Sequence, residues 1–200
     1  AVALKVACLY PQYVRSLVLY EPVAFRLLLD DPASHAETQE VLGVSSEMQT
    51  RLERGDAAGA ARHFVDYWSG SGSWQGMPAE AQAGMTRRMP IVMQHFGALF
   101  NERQQAAALT RLGRLTVPTL LLSGERTVAS ARRIARRLRT LLPAAAHETL
   151  PGLGHMGPLT HPALVAERIA AHLQVPARPM PSLPFTPPPA PRPRDLSTVD

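Results

Sequence analysis

The sequence predicts an α/β fold, with three parallel strands flanked by helices and one long all-helical insertion. Three observations carry that prediction. Short, β-rich apolar runs at residues 16–20 and 117–123 and a third, short strand at 146–150 each end in a turn signal, namely Glu21-Pro22, Gly124 and Pro151-Gly152. Such continuous apolar runs suit buried parallel strands, whose two faces are both covered. Helical patterns alternate with these runs, and from about residue 23 to 114 strand character disappears altogether.

Val2, Leu4, Val6, Ala7 and Leu9 have helical spacing, and Tyr10-Pro11 ends that helix because proline disfavours the α region at the residue before it. The first strand follows, with Glu21 at its C-terminal end. In the insertion the periodicity predicts helices over 38–42, 57–68, 78–89, 91–100 and 102–112. Ala61, Phe64, Val65 and Trp68 form one apolar face, while Ser69-Gly70-Ser71-Gly72-Ser73 reads as a turn. After the second strand, a helix over 129–142 turns Ile134, Leu138 and Leu141 inward and most of its five arginines outward. A third strand enters the glycine-bracketed loop Pro151-Gly152-Leu153-Gly154-His155-Met156-Gly157-Pro158, and a last helix covers 162–173. The domain is expected to occupy residues 1–173, and residues 174–200 read as a proline-rich disordered tail.

Composition narrows the function classes. The 200 residues, 46% hydrophobic, suffice for one domain with a core. The single cysteine, Cys8, excludes an internal disulfide or a cysteine-based metal site, and its apolar neighbours suggest a buried position. A net charge of +5 invites thought of nucleic acid, but Lys5 is the sole lysine and aromatic and basic residues form no interleaved platform, so no nucleic-acid partner is expected. No apolar stretch reaches membrane-spanning length and no signal peptide is visible, so a soluble, cytoplasmic protein without membrane partner, cofactor or metal is expected.

The order of Ala1-Val2-Ala3-Leu4-Lys5-Val6-Ala7, Tyr20-Glu21-Pro22, the helical insertion, Leu120-Leu121-Leu122-Ser123-Gly124-Glu125-Arg126 and Gly154-His155-Met156 resembles the α/β-hydrolase family. In that family a G-x-S-x-G elbow precedes a helix, a strand, a helical lid, a strand bearing an acid and a loop bearing histidine. The resemblance therefore implies a partial α/β-hydrolase fold that opens just after the elbow, with the nucleophile about four residues before Ala1. No serine in these residues has the G-x-S-x-G frame.

By this resemblance His155 is the general base, since it follows a strand in a loop that can lift the ring above the sheet edge. The bland reading is a polar loop histidine; chain order favours the base. His35, His63, His95, His147, His161 and His172 have no such setting. Thr127 stands where the family usually has aspartate, and it has no charge to offer an imidazolium. Glu21 is the first alternative acid because neighbouring parallel strands bring their C-terminal ends to one edge. Glu125 is the second choice and Asp30 follows. Glu21 as a packing or capping residue is the competing reading.

Phe25, Phe64, Trp68, Met93, Phe96 and Phe100 in the insertion suit a small apolar ester or acyl-type substrate, although the same residues at helical spacing are commonly core. Two functions remain open at this point. One is the C-terminal fragment of a serine-dependent hydrolase, inactive as given because the nucleophile is not in the chain. The other is a non-catalytic, hydrolase-derived interaction or binding module. In either case the first strand is expected to expose an edge through which the chain self-associates.

Overall fold

The computed structural model describes residues 1–101 and 109–174. The proline-rich tail from residue 175 onward and most of the helix expected over 102–112 lie outside the described residues. The main elements in chain order are α1 (Val2–Leu9), β1 (Leu17–Tyr20), α2 (Arg26–Leu29), α3 (His35–Glu53), α4 (Ala57–Ser69), α5 (Ala79–Asn101), β2 (Thr119–Gly124), α6 (Ala129–Leu141), β3 (Ala146–Leu150), α7 (Gly157–Thr160) and α8 (Pro162–Leu173).

The three strands form one parallel sheet in the order β1-β2-β3. Register follows from the alternating pleat. Leu17 and Leu19 of β1 and Leu121 of β2 face one side, where they share a core with Leu4, Ala7 and Cys8 of α1 and Ile134 and Leu138 of α6. Leu120, Leu122 and Leu150 face the other side and pack with Leu153 and with Val165 of α8, alongside Val18 and Tyr20. Every residue of β2 is buried, as a central parallel strand requires.

The secondary-structure elements of the insertion between β1 and β2 are all helical in its described part, joined by turns such as residues 70–78, and two of them differ from expectation. The helix expected over 38–42 is α3, which runs from His35 to Glu53. Gly43, Ser45 and Ser46 are poor helix formers and hide its length in the sequence, yet burial of Thr38, Val41, Val44 and Met48 on one face overrides them. The break expected at Pro90 does not occur. Pro90 lies inside the single helix α5, where loss of one backbone donor and a ring clash cost roughly 3 kcal/mol. Met89 and Phe96, both buried, anchor the helix on either side of it.

The insertion is tied to the sheet layer by polar contacts as well. Asp31 meets Arg133 and Arg137 of α6 at 3.4 Å each. Tyr67 of α4 donates to Glu40 of α3 at 2.8 Å, and its oxygen lies 2.6 Å from the Ser130 hydroxyl of α6. Among the described residues no helix is long and apolar enough to cross a membrane.

Candidate active site

The site lies at the C-terminal edge of the sheet, where the ends of all three strands converge. Glu21 is the first residue after β1 and its φ of 38° lies in the left-handed region. A non-glycine residue there costs roughly 1–2 kcal/mol, which the surroundings must offset. They do so through its backbone N–H and both carboxylate oxygens. Its backbone N–H donates to Leu122 O at 3.0 Å. Its Oε1 accepts the Gly124 N–H at 2.6 Å, and its Oε2 accepts the Thr127 hydroxyl at 2.6 Å. The side chain is fully buried, so these donors replace water for a carboxylate that would otherwise be expensive to bury.

The third group on this carboxylate is His155. Its Nδ1 stands 2.8 Å from Glu21 Oε2, across 134 positions of sequence. Because the carboxylate accepts, the proton belongs on Nδ1 and the Nε2 lone pair is left for other work. The ring retains modest solvent access, and no described serine hydroxyl is bonded to it. On its other side the indole of Trp68 lies against it, with ring centroids 4.1 Å apart and planes inclined by 33°.

Glycines let the histidine loop approach. A Cβ on Gly124 would sit 2.3 Å from Leu153 O, and one on Gly157 would sit 2.1 Å from the Tyr20 hydroxyl, so neither position tolerates a side chain without movement. The loop is then tied down by donors from the other strands. Arg126 N–H reaches Leu153 O at 2.8 Å, and the Tyr20 hydroxyl donates to Gly154 O at 2.6 Å. Burial and the neighbouring charge of Glu21 push that phenol up to about 12, so it remains a donor across the neutral range.

The other expected acids are placed elsewhere. Glu125 Oε2 accepts the Gly152 N–H at 2.7 Å, which fastens the start of the loop, and Asp30 is paired with Arg26 at 2.9 Å. His161 contacts the Thr160 hydroxyl, and burial together with Arg139 lowers the pKa of His147. Burial pushes the Cys8 thiol up, which leaves it the unreactive thiol form. Among the described residues no group of three or more His, Cys, Asp or Glu side chains is placed to hold a metal ion.

Sequence reasoning missed three contributors. Thr127 lacks a carboxylate in the sequence pattern, yet it is a hydroxyl donor to the carboxylate that is present. Gly124 marks a strand end in the pattern, and its N–H is the second donor. Trp68 is one of several apolar residues at helical spacing, and its indole faces the imidazole. A Ser or Thr just past one strand, paired with a Glu just past its neighbour, is the signal that could have exposed the first.

No family model matches the chain, and no curated protein matches it in sequence. Among solved structures it is similar to the crystal structure of MGS-M2, described as an alpha/beta hydrolase enzyme from a Medee basin deep-sea metagenome library. The TM-score is 0.55 at 16% identity, over 86% of this chain and 60% of that one. The fold is that of the α/β hydrolases. At such identity the likeness concerns the fold alone. The chain spans less than two thirds of the length of that hydrolase. In the α/β-hydrolase frame, β1, the helical insertion, β2 and the loop after β3 follow one another in the order read from the sequence.

Proposed function

We propose that this chain is the acid–base half of a serine-dependent α/β-hydrolase, in which His155 is the general base, Glu21 orients it, and a segment preceding Ala1 supplies the nucleophile. The observation that carries this reading is the 2.8 Å contact between His155 Nδ1 and a buried carboxylate whose remaining acceptors are already occupied by Gly124 and Thr127. A carboxylate so held fixes the tautomer and stabilises the imidazolium. Nε2 then takes the proton of an attacking hydroxyl and returns it to the leaving group. In this reading Glu125 is a loop fastener and the acid sits after β1.

Two further observations support the fragment view. β1 pairs with β2 on one edge and has no strand on its other edge among the described residues, and the chain spans 60% of the similar hydrolase. Alone, the chain lacks nucleophile and oxyanion donors and is inactive, and it self-associates through the β1 edge. The helical insertion acts as the lid. An apolar ester or acyl-type substrate suits the apolar side chains of the insertion, of which Trp68 lies against the His155 ring and packs with Phe25 and Phe64. A cytoplasmic location completes the reading.

The test is to express the chain with its upstream coding segment and treat it with a fluorophosphonate. One serine upstream of Ala1 should be labelled, and His155→Ala should lower ester turnover roughly 10⁴-fold or more. The 200-residue chain alone should not be labelled. Stoichiometric labelling of the chain alone, or near-normal rates for His155→Ala, would overturn the proposal. An upstream segment without any G-x-S-x-G would favour the non-catalytic module instead, or, with aspartate in the elbow, a different bond cleaved.

A further inference from the structure

Helix α6 carries two stripes of arginine with opposite fates. Arg133 and Arg137 are committed to the insertion through Asp31, and Arg133 also donates to the Ser34 hydroxyl at 2.8 Å and to the Ala33 carbonyl. Arg132, Arg136 and Arg139 lie on the adjoining stripe. Arg132 donates to the Thr127 carbonyl at 2.9 Å, and among the described residues none of the three is ion-paired with a carboxylate. Like charges three and four positions apart on a helix repel, so this stripe lacks the counter-charge that its neighbour has.

The three guanidinium groups line one wall of a recess of about 300 Å³, and β2 and β3 line the other. The β3 wall is polar where a sheet face covered by a helix is ordinarily apolar. His147 and Thr149 stand beside Leu121 and Ser123 in register, and the hydroxyls of Ser123 and Thr149 are 3.3 Å apart. Glu148, between them, belongs to the opposite face, where Arg168 meets it at 3.0 Å. Glu125 is the one acid lining the recess, and it is engaged by the Gly152 N–H. The positive field is felt inside, since Arg139 helps to lower the pKa of His147.

We propose that this recess is a binding site for the phosphate group of a small soluble molecule. Arginine forks match phosphate oxygens in pairs, and hydroxyls on the facing strands complete the shell. A volume of about 300 Å³ admits a phosphate or pyrophosphate with a small organic remainder. The site lies on the β2–β3 side of the sheet, away from the open β1 edge, so association of the chain through β1 leaves it accessible.

Isothermal titration of the chain with inorganic pyrophosphate, and separately with phosphate, at constant ionic strength tests this directly. A saturable one-to-one isotherm is expected, tighter for pyrophosphate. Arg136→Ala and Arg139→Ala should each weaken it by about tenfold or more, the usual effect of losing a charge-assisted hydrogen bond. Arg87→Ala combined with Arg88→Ala, on α5, should leave it unchanged. Heat that does not saturate, or equal losses from the α5 and α6 variants, would overturn the site. Vesicles of phosphatidylcholine and phosphatidylglycerol should not carry the chain down on centrifugation. Co-sedimentation that Arg136→Ala abolishes would assign the arginines to a membrane surface and overturn the soluble ligand.

Discussion

The C-terminal end of the sheet and the open side of β1 are finished to very different degrees. At the former, Glu21, Gly124, Thr127 and His155 occupy one another's hydrogen-bonding capacity within 2.6–2.8 Å, and Tyr20 and Arg126 fasten the loop above them. At the latter, β1 has buried side chains but, among the described residues, a single paired edge, and nearby α1 leaves Val2 and Val6 exposed. The contrast teaches where the proposed missing half would act. Glu21 and His155, the proposed acid and base, are held by contacts among the described residues, whereas the apolar layer around β1 is the surface that the proposed missing half would cover.

The largest expected effect strikes the finished end. In the upstream-extended protein, Glu21→Gln keeps the volume and one acceptor but presents an N–H₂ donor, so one tautomer of His155 loses its support. Turnover should drop by roughly 10⁴-fold with the far-ultraviolet circular dichroism unchanged, as for an acid-to-amide change in a triad. A drop of less than tenfold would mean that the imidazole is held by something other than this carboxylate.

Next comes the open side. The N–H groups of Leu17 and Glu21 point to β2, so by alternation those of Val18 and Tyr20 point to the free edge. Val18→Pro removes one outward donor without touching the β1–β2 ladder. It should shift the isolated chain towards monomer in sedimentation velocity. Unchanged association would place the contact elsewhere.

Thr127→Ala and Glu125→Gln separate the site from its surroundings. Loss of the Thr127 hydroxyl takes one donor from the buried Glu21 carboxylate and should cost about 1.5–3 kcal/mol of stability and roughly tenfold or less in turnover. Glu125→Gln should leave turnover nearly unchanged, since its carboxylate serves Gly152. If Glu125→Gln proved the more damaging, the acid would have been misassigned.

The smallest effect is tied to pH. Tyr20→Phe removes the tether to Gly154 and should cost about 1 kcal/mol at neutral pH. The phenol titrates at about 12 in the fold against an ordinary 10.0, so its contribution is complete below pH about 10 and disappears as pH rises through about 12. Denaturant melts of both proteins should therefore converge in strong base.

His155 and Glu21 were legible because each stands at a strand end marked by glycine or proline, and chain order alone assigns both to one edge. Thr127 was not, because its role depends on a carboxylate 106 positions away that sequence pattern cannot pair with it. The insertion shows the same limit. Gly43, Ser45 and Ser46 hid the length of α3, and Pro90 suggested a break in α5, since local propensity speaks first and tertiary burial decides.

The pairing of Glu21 with His155 is tested most directly by nuclear magnetic resonance of the chain labelled with ¹⁵N-histidine near neutral pH. One imidazole should carry its proton on Nδ1, with that proton displaced far downfield by the carboxylate. Glu21→Gln should remove the displaced signal and Glu125→Gln should leave it in place. A His155 ring protonated on Nε2, or a downfield proton that survives Glu21→Gln, would contradict the account.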